Sequence, residues 1–341
     1  HIWKEKGIKM GFTIEDMNLM AKDRYQMEFI AGKRGWSNSI SWVLMMEDTA
    51  IIRNFAGKEL AVTTGLGFDT EEKLLGLARK LVVCHASGLI INTGEYIHEL
   101  PQSLCNYCDE NDLPLMTVPW EVYLSEMIKD LSIRIFLQGT TDEEITRALI
   151  HAIEEPDNQE NYRKILLPYL DIDGEFQVVL FTTGGLDEMD TVERKRLGYR
   201  LQIYLENITH NGSFFYYDAN FVLIMNDVSR KDFEEIVDGM ISRTKRRMPE
   251  VHISVGAGSK VVDITNLRTA YQRAKAAVNM AQHMNCDIVH FDDMGIYRLL
   301  YSVSDKAILK EMSEELLQPL LAYDAKHNSN YVEVLEKYLE Y

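Results

Sequence analysis

The chain has 341 residues, 46% of them hydrophobic and 26% charged, with a formal net charge of −17 and a pI near 5.0. So acidic a chain repels phosphate as a whole, which excludes nucleic-acid binding by its general surface. Its longest apolar runs, such as Phe221–Met225, are too short to span a bilayer, and no signal peptide opens it. A length beyond what one core organises predicts two or three domains of a cytoplasmic protein with no membrane contact.

Residues 1–9 read as a leader ahead of a natural start at Met10, and residues 10–121 as a first domain. Over Phe12–Ala31 the sequence predicts a helix start, with Thr13 as N-cap and Asp16 in the first turn. Trp36–Ile40 reads as a turn into a strand at Ser41–Glu47, and Asp48 and Thr49 cap a short helix, Ala50–Phe55, that Gly57 ends. A strand at Leu60–Thr64 and the Gly65-Leu66-Gly67 turn lead to an amphipathic helix reaching Cys84. Gly88–Asn92 is a wholly apolar strand, followed by a helix from Pro101 to Glu110 and a strand at Pro114–Val118. Strands alternating with helices imply a parallel sheet, whose ligand sites lie outside the carboxyl ends of its strands.

Residues 122–174 read as a helical connector: a helix over Val122–Leu137, a break at Gly139, a helix over Glu143–Glu155 capped by Thr141 and Asp142, and a short helix over Tyr162–Leu170. The first of these is long enough, roughly 24 Å at 1.5 Å per residue, to contact a neighbouring domain. It packs either on its own sheet or against a second copy of itself. Residues 175–293 form a βαββαβ-type domain, an α+β module with a mixed sheet and helices on one face. Its strands are expected at Phe176–Thr182, Ser213–Tyr217, Asn220–Met225, His252–Gly256 and Ile288–Phe291. Its helices are expected at Thr191–Asn207, Ser229–Arg247 and Ile264–Met284. Residues 294–341 are helical, with segments Lys306–Leu317, Pro319–Tyr323 and Tyr331–Tyr341.

The segment Trp42–Gly67, with Met46-Glu47-Asp48 and then Glu59 to Gly65, resembles the amino-terminal domain of the purine-catabolism regulator (PucR) family of bacterial transcription factors. The second domain resembles that family's GGDEF-like module, also found in sugar-diacid regulators, through Ile253–Gly258, Leu267, Ala270-Tyr271 and Ala274–Ala277. Leu316–Leu320, Tyr323-Asp324 and Leu335 to Leu339 look like the lead-in to a helix-turn-helix, which would follow where this chain stops. The resemblance implies a ligand-responsive regulator with a small-molecule effector, such as a purine breakdown product. It also implies a homodimer, a ferredoxin- or cyclase-like second domain, and DNA contact only through the missing carboxyl-terminal domain.

The expected ligand residues sit at the strand ends of the first domain. Thr63, Thr64, Asn92 and Thr93 supply short donors and acceptors, and Gly65, Gly67 and Gly94 permit close backbone approach. Glu47 and Glu121 are placed to pair with ligand N–H groups, and Trp120 to stack on a planar ring. The bland alternative is that the threonines satisfy backbone and Trp120 fills core.

No enzyme, metal or cofactor is expected. The rival class is a cyclic-dinucleotide synthase or a small-molecule hydrolase, and a third reading is a module that binds only protein. Active cyclases carry two glycines and then acidic residues in the hairpin matching Tyr217-Asp218-Ala219-Asn220-Phe221, where Ala and Asn stand at the acidic positions. Phe181-Thr182-Thr183 lacks the carboxylate that would hold Mg²⁺, and Gly184–Glu188 spells part of the signature outside the hairpin. Gly256-Ala257-Gly258-Ser259-Lys260 lacks Walker spacing and reads as a strand-to-loop turn. Cys105 and Cys108, a C-x-x-C inside a helical pattern, read as structural, and with Cys84 and Cys286 they are too few and too scattered for a disulfide framework. The basic run Arg243 to Arg247 reads as cations at a helix C-terminus.

Overall fold

The structure, a computed structural model, describes residues 11–206, 208–209, 212–302 and 306–340. The expected leader and its Met10 start, Asn207 at the end of an expected helix, and Tyr341 lie outside the described residues. The chain divides into two compact units, one running to His290 and one from Phe291.

The first unit begins with β1 (Phe12–Thr13) and α1 (Ile14–Arg24). Thr13 and Asp16 form a reciprocal capping box, satisfying two backbone donors at the helix start. The helix ends at Arg24 and is followed by β2 (Glu28–Ala31), a strand the sequence did not announce. Then come β3 (Ser39–Ile40), β4 (Trp42–Met45), β5 (Glu59–Thr63), α2 (Glu71–Val83), β6 (Gly88–Thr93), α3 (Gln102–Glu110) and β7 (Leu115–Pro119). The expected helix after Asp48 is a 3-10 turn, Thr49–Asn54.

Strands β4, β5, β6 and β7 are parallel, and β2 closes the β7 edge antiparallel, in the order β2-β7-β6-β5-β4. Side chains alternate between two cores. Leu60, Val62, Ile90 and Met116 pack under α1, while Ala61, Leu89, Ile91 and Leu115 pack under α2 and α3. A parallel sheet covered on both faces is what near-continuous apolar strands require.

The connector differs from expectation. A single helix, α4 (Leu124–Glu154), runs through Gly139 without a break. Thr140 and Thr141 turn their hydroxyls back onto the carbonyls of Phe136 and Leu137, so neither caps a new helix. Asp142 accepts from Gly11 N and Gln138 Nε2, both at 2.9 Å, which ties α4 to the start of the chain. At 31 residues α4 spans about 46 Å. Met127, Leu131 and Ile135 belong to the first-domain core, and Ile145, Leu149 and Ile153 to the second.

The second domain follows a one-turn helix, α5 (Arg163–Leu166). It comprises β8 (Glu175–Thr182), α6 (Thr191–Glu206), β9 (Ser213–Tyr217), β10 (Asn220–Asn226), α7 (Arg230–Arg247), β11 (Ser254–Ala257), β12 (Val261–Val262), α8 (Leu267–His283) and β13 (Ile288–His290). The sheet order is β13-β11-β8-β10-β9, with β12 pairing to β8; β11 and β13 are parallel and the other pairs antiparallel.

Helices cover both faces of this sheet, not one. Val178, Leu180, Val222 and Ile224 face α4 and α8, while Val179, Phe181, Phe221 and Leu223 face α6 and α7. Both alternating sets on β8 and β10 are apolar, so neither face can be left to water.

The two domains meet through a buried polar junction. Lys58, ahead of β5, lies 3.1 Å from Glu206 at the end of α6, and their side chains are 5% and 8% exposed. Ser39 donates to the same carboxylate through its hydroxyl, at 2.9 and 3.0 Å, and through its backbone N–H, at 3.3 Å. Burial pulls the Lys58 ammonium below its ordinary range while Glu206 opposes that shift.

His85, just past α2, lies near this junction with a left-handed φ of 57°. Burial, with Arg200 and Arg247 adding to it, lowers its imidazole to about 4. The folded state therefore holds His85 neutral, and the unfolded chain takes up its proton first as pH falls. Stability should drop between about pH 6.5 and pH 4, by on the order of 2–3 kcal/mol. His85→Asn, a residue that tolerates left-handed backbone, should flatten that stretch of a urea-denaturation pH series; an unchanged slope would contradict this assignment.

The second unit holds α9 (Tyr297–Ser302), α10 (Lys306–His327) and α11 (Tyr331–Glu340). Pro319 does not separate two helices as expected; α10 passes through it. A proline forfeits one hydrogen bond and crowds the preceding turn, which can strain a long helix without ending it. Asp324 accepts from Tyr331 N and Val332 N, each at 3.0 Å, and so caps α11. No helix among the described residues is long and apolar enough to cross a membrane.

Candidate functional site at the carboxyl ends of the first sheet

The sequence places ten candidate residues at the carboxyl ends of β4 to β7, and the structure gathers them into two groups. The first is a knot around Glu47. Its carboxylate accepts from Thr64 N and Thr64 Oγ1 at 2.7 Å each, from Thr63 Oγ1 at 2.9 Å and from Gly67 N at 3.4 Å. Thr63 is fully buried, and its hydroxyl accepts from Gly65 N at 3.0 Å.

The two glycines are required by close packing around this knot. A Cβ on Gly67 would overlap the Glu47 carbonyl, and one on Gly65, at φ 88°, would collide with Ile97. The expectation of an open mouth at Thr63–Gly67 is thus corrected. Glu47 and Ile97 occupy it, and Thr64 is the half-buried member that reaches the rim.

The second group surrounds the end of β7. Asn92 is buried, and its amide donates to the carbonyls of Val118 at 3.2 Å and Pro119 at 2.8 Å. Thr93 Oγ1 donates to Val118 at 3.4 Å. Gly94, at φ 132°, lets Trp120 approach, since a Cβ there would lie 2.9 Å from Trp120 Cβ. Asn92 thus grips the last two residues of β7, and the segment running from them to α4 turns back with Val122 N bonding Pro119 O at 3.1 Å.

Several groups at this rim remain available. Among the described residues Asn92 Oδ1 accepts no hydrogen bond. Trp120 is 40% exposed and meets Tyr96 edge to face at 5.7 Å, and Glu121 is exposed. Together they offer an acceptor, a carboxylate and an aromatic step, the chemistry that receives a planar molecule rich in N–H groups.

With this geometry in place, residues 18–135 match the model of the purine catabolism regulatory protein-like family, and residues 169–280 match that of the GGDEF-like domain. The chain carries a PucR-like domain followed by a GGDEF-like domain. A purine catabolism regulatory protein of Bacillus subtilis (strain 168) is 28% identical over 100 residues, which are 29% of this chain and only 19% of that protein.

In the GGDEF-like domain the β9–β10 hairpin turns on Asp218 and Ala219, both left-handed at φ 48° and 60°, as a two-residue primed turn demands. Asp218 accepts from Tyr271 at 2.9 Å and pairs with Lys275, and Tyr217 donates to Glu154 at 2.9 Å. The hairpin is thereby fastened to α8 and to the far end of α4. Among the described residues no cluster of three metal-ligating side chains occurs. Burial raises the thiols of Cys84 to about 11 and Cys108 to about 12, so both stay protonated at neutral pH.

Sequence reasoning missed the role of Asn92 as the latch on the α4 entry. The Asn-Thr-Gly pattern marked the position, but a bond to carbonyls 26 and 27 residues away has no local signature. Tyr96 was missed too; its place beside Trp120 depends on the loop after β6.

Proposed function

We propose that the chain is the effector-sensing and dimerising part of a cytoplasmic bacterial transcription regulator, with DNA contacted through a helix-turn-helix beyond Tyr341. The PucR-like domain takes a small nitrogen-rich metabolite, a purine breakdown product, against Asn92 Oδ1, Thr64, Trp120 and Glu121. One observation carries the reading: Asn92 holds the entry to α4, and α4 is a structural member of both domain cores. A ligand that draws on Asn92 alters its grip on Pro119 and so biases the position of a helix that the second domain cannot ignore. The differential affinity of two α4 positions for the ligand supplies the signal.

The GGDEF-like domain acts as a scaffold and not as a cyclase. Its turn carboxylate is engaged by Tyr271 and Lys275, and Ala219 and Asn220 supply no carboxylate for a metal. Pairing of two copies would use the α4 face that carries Ile133, Phe136 and Leu137, exposed by 47%, 69% and 59%.

Isothermal titration with a panel of oxopurines and ureides tests the reading. One compound should bind, and Thr64→Ala with Asn92→Ala should weaken it about tenfold or more, as loss of buried hydrogen bonds predicts. Unchanged affinity in the folded double variant would remove the site.

A further inference from the structure

At the other end of the PucR-like sheet, where the amino ends of β4 to β7 meet α6 and α7, lies a cleft of about 180 Å³. Its walls come from both domains: Lys58 and His85 from the first, Tyr204 and the last turns of α7 from the second. Three arginines, Arg243, Arg246 and Arg247, line it, and among the described residues none of them pairs with a carboxylate within 4.0 Å. Asp112 is the carboxylate on the lining, Glu250 also acts on Tyr204, and the nearby Glu206 is engaged by Lys58. Arg200 adds a further positive charge acting on both His85 and Tyr204.

A concentration of guanidinium groups in a chain of net charge −17 needs a cause. The C-terminal dipole of α7 favours cations in its last turn but not a half-buried Arg243 crowded by Arg246 and Arg247. A second observation is independent of charge. Tyr204 is 6% exposed, lines the cleft, and its hydroxyl is buried with no hydrogen-bond partner. A buried hydroxyl without a partner costs on the order of 1–3 kcal/mol, and an acceptor in the cleft would relieve it.

We propose that this cleft binds a small oxyanion, phosphate- or carboxylate-bearing, held by the α7 arginines and the Tyr204 hydroxyl between the two domains. Guanidinium forks match both phosphate and carboxylate oxygens, and the volume restricts the ligand to a few heavy atoms beyond the anionic group. No aromatic face is needed, so this site reads charge, whereas the strand-end site is built for a planar ring. An anion here would touch both domains next to the Lys58–Glu206 junction and resist their separation.

The test is calorimetric titration of the whole chain with sodium diphosphate and, separately, sodium succinate, at ionic strength matched by sodium chloride. Saturable binding at one anion per chain is expected for at least one of them, and which one binds tells a phosphate-bearing from a carboxylate-bearing ligand. Affinity should fall about tenfold or more in Arg243→Gln/Arg247→Gln and severalfold in Tyr204→Phe. Arg246→Gln, at an exposed position, weakens binding without touching the core and serves if the double variant does not fold. Thr64→Ala/Asn92→Ala should bind the anion as the parent does, which separates this site from the strand-end site. Saturable binding of neither anion, or binding equally strong in the arginine variants, overturns the proposal.

Discussion

Lys58→Met should lower the unfolding free energy by about 3–5 kcal/mol, because it strands a carboxylate between two domains. Glu206 would keep the Ser39 hydroxyl and N–H, which places the loss toward the lower end. Glu206→Gln should cost a similar amount by leaving a buried ammonium without its ion-pair partner, partly relieved because burial already favours the uncharged amine. The double variant Lys58→Met/Glu206→Leu removes both charges, and its cost should fall below the sum of the single costs by more than 1 kcal/mol. Urea denaturation of the four proteins gives the coupling directly. Simple additivity would mean that the pair does not hold the junction.

Gly256→Ala should destabilise by about 3 kcal/mol, the upper part of the range for overpacking a core. The residue sits on β11 where α8 crosses at backbone contact; an added Cβ would meet Val278 N and Ala274 O. Neither atom can withdraw without moving the helix. Gly258 is in the same position against Ala270 O, and the alanines Ala270, Ala274 and Ala277 complete the close approach. The Gly-Ala-Gly run is therefore a packing device and not a phosphate loop or a simple turn. Gly76→Ala provides the contrast, since nothing lies within 4 Å of its added methyl on α2. That change should stabilise by roughly 0.5–1 kcal/mol. A thermal-melting series showing the same sign for both glycines would contradict the packing argument.

Much of the fold was legible because local chemistry decides it. Thr13 with Asp16, and Asp48, mark helix starts that need no distant partner, and the apolar runs at β5 and β6 announce a buried parallel sheet. What failed depends on tertiary context. Glu28–Ala31 alternates too weakly to declare a strand, and it becomes one because the β7 edge offers free hydrogen-bonding groups. Gly139 and the threonines after it look like a helix break, yet packing at Ile135 on one side and Ile145 on the other carries α4 across them. At the candidate site the residues were legible but their engagements were not. Glu47 and Thr63 stand 16 residues apart, and nothing in either neighbourhood says that they satisfy each other.

The arrangement depends most on α4 being one mechanical element rooted in two cores. Native-state hydrogen exchange on Leu131→Ala, which hollows the first-domain end of the helix, tests that most directly. If α4 couples the domains, protection should fall at Ile145–Ile153 and along β8 as well as before Gly139. Loss of protection confined to residues before Gly139 would show that the helix yields in the middle and carries nothing across.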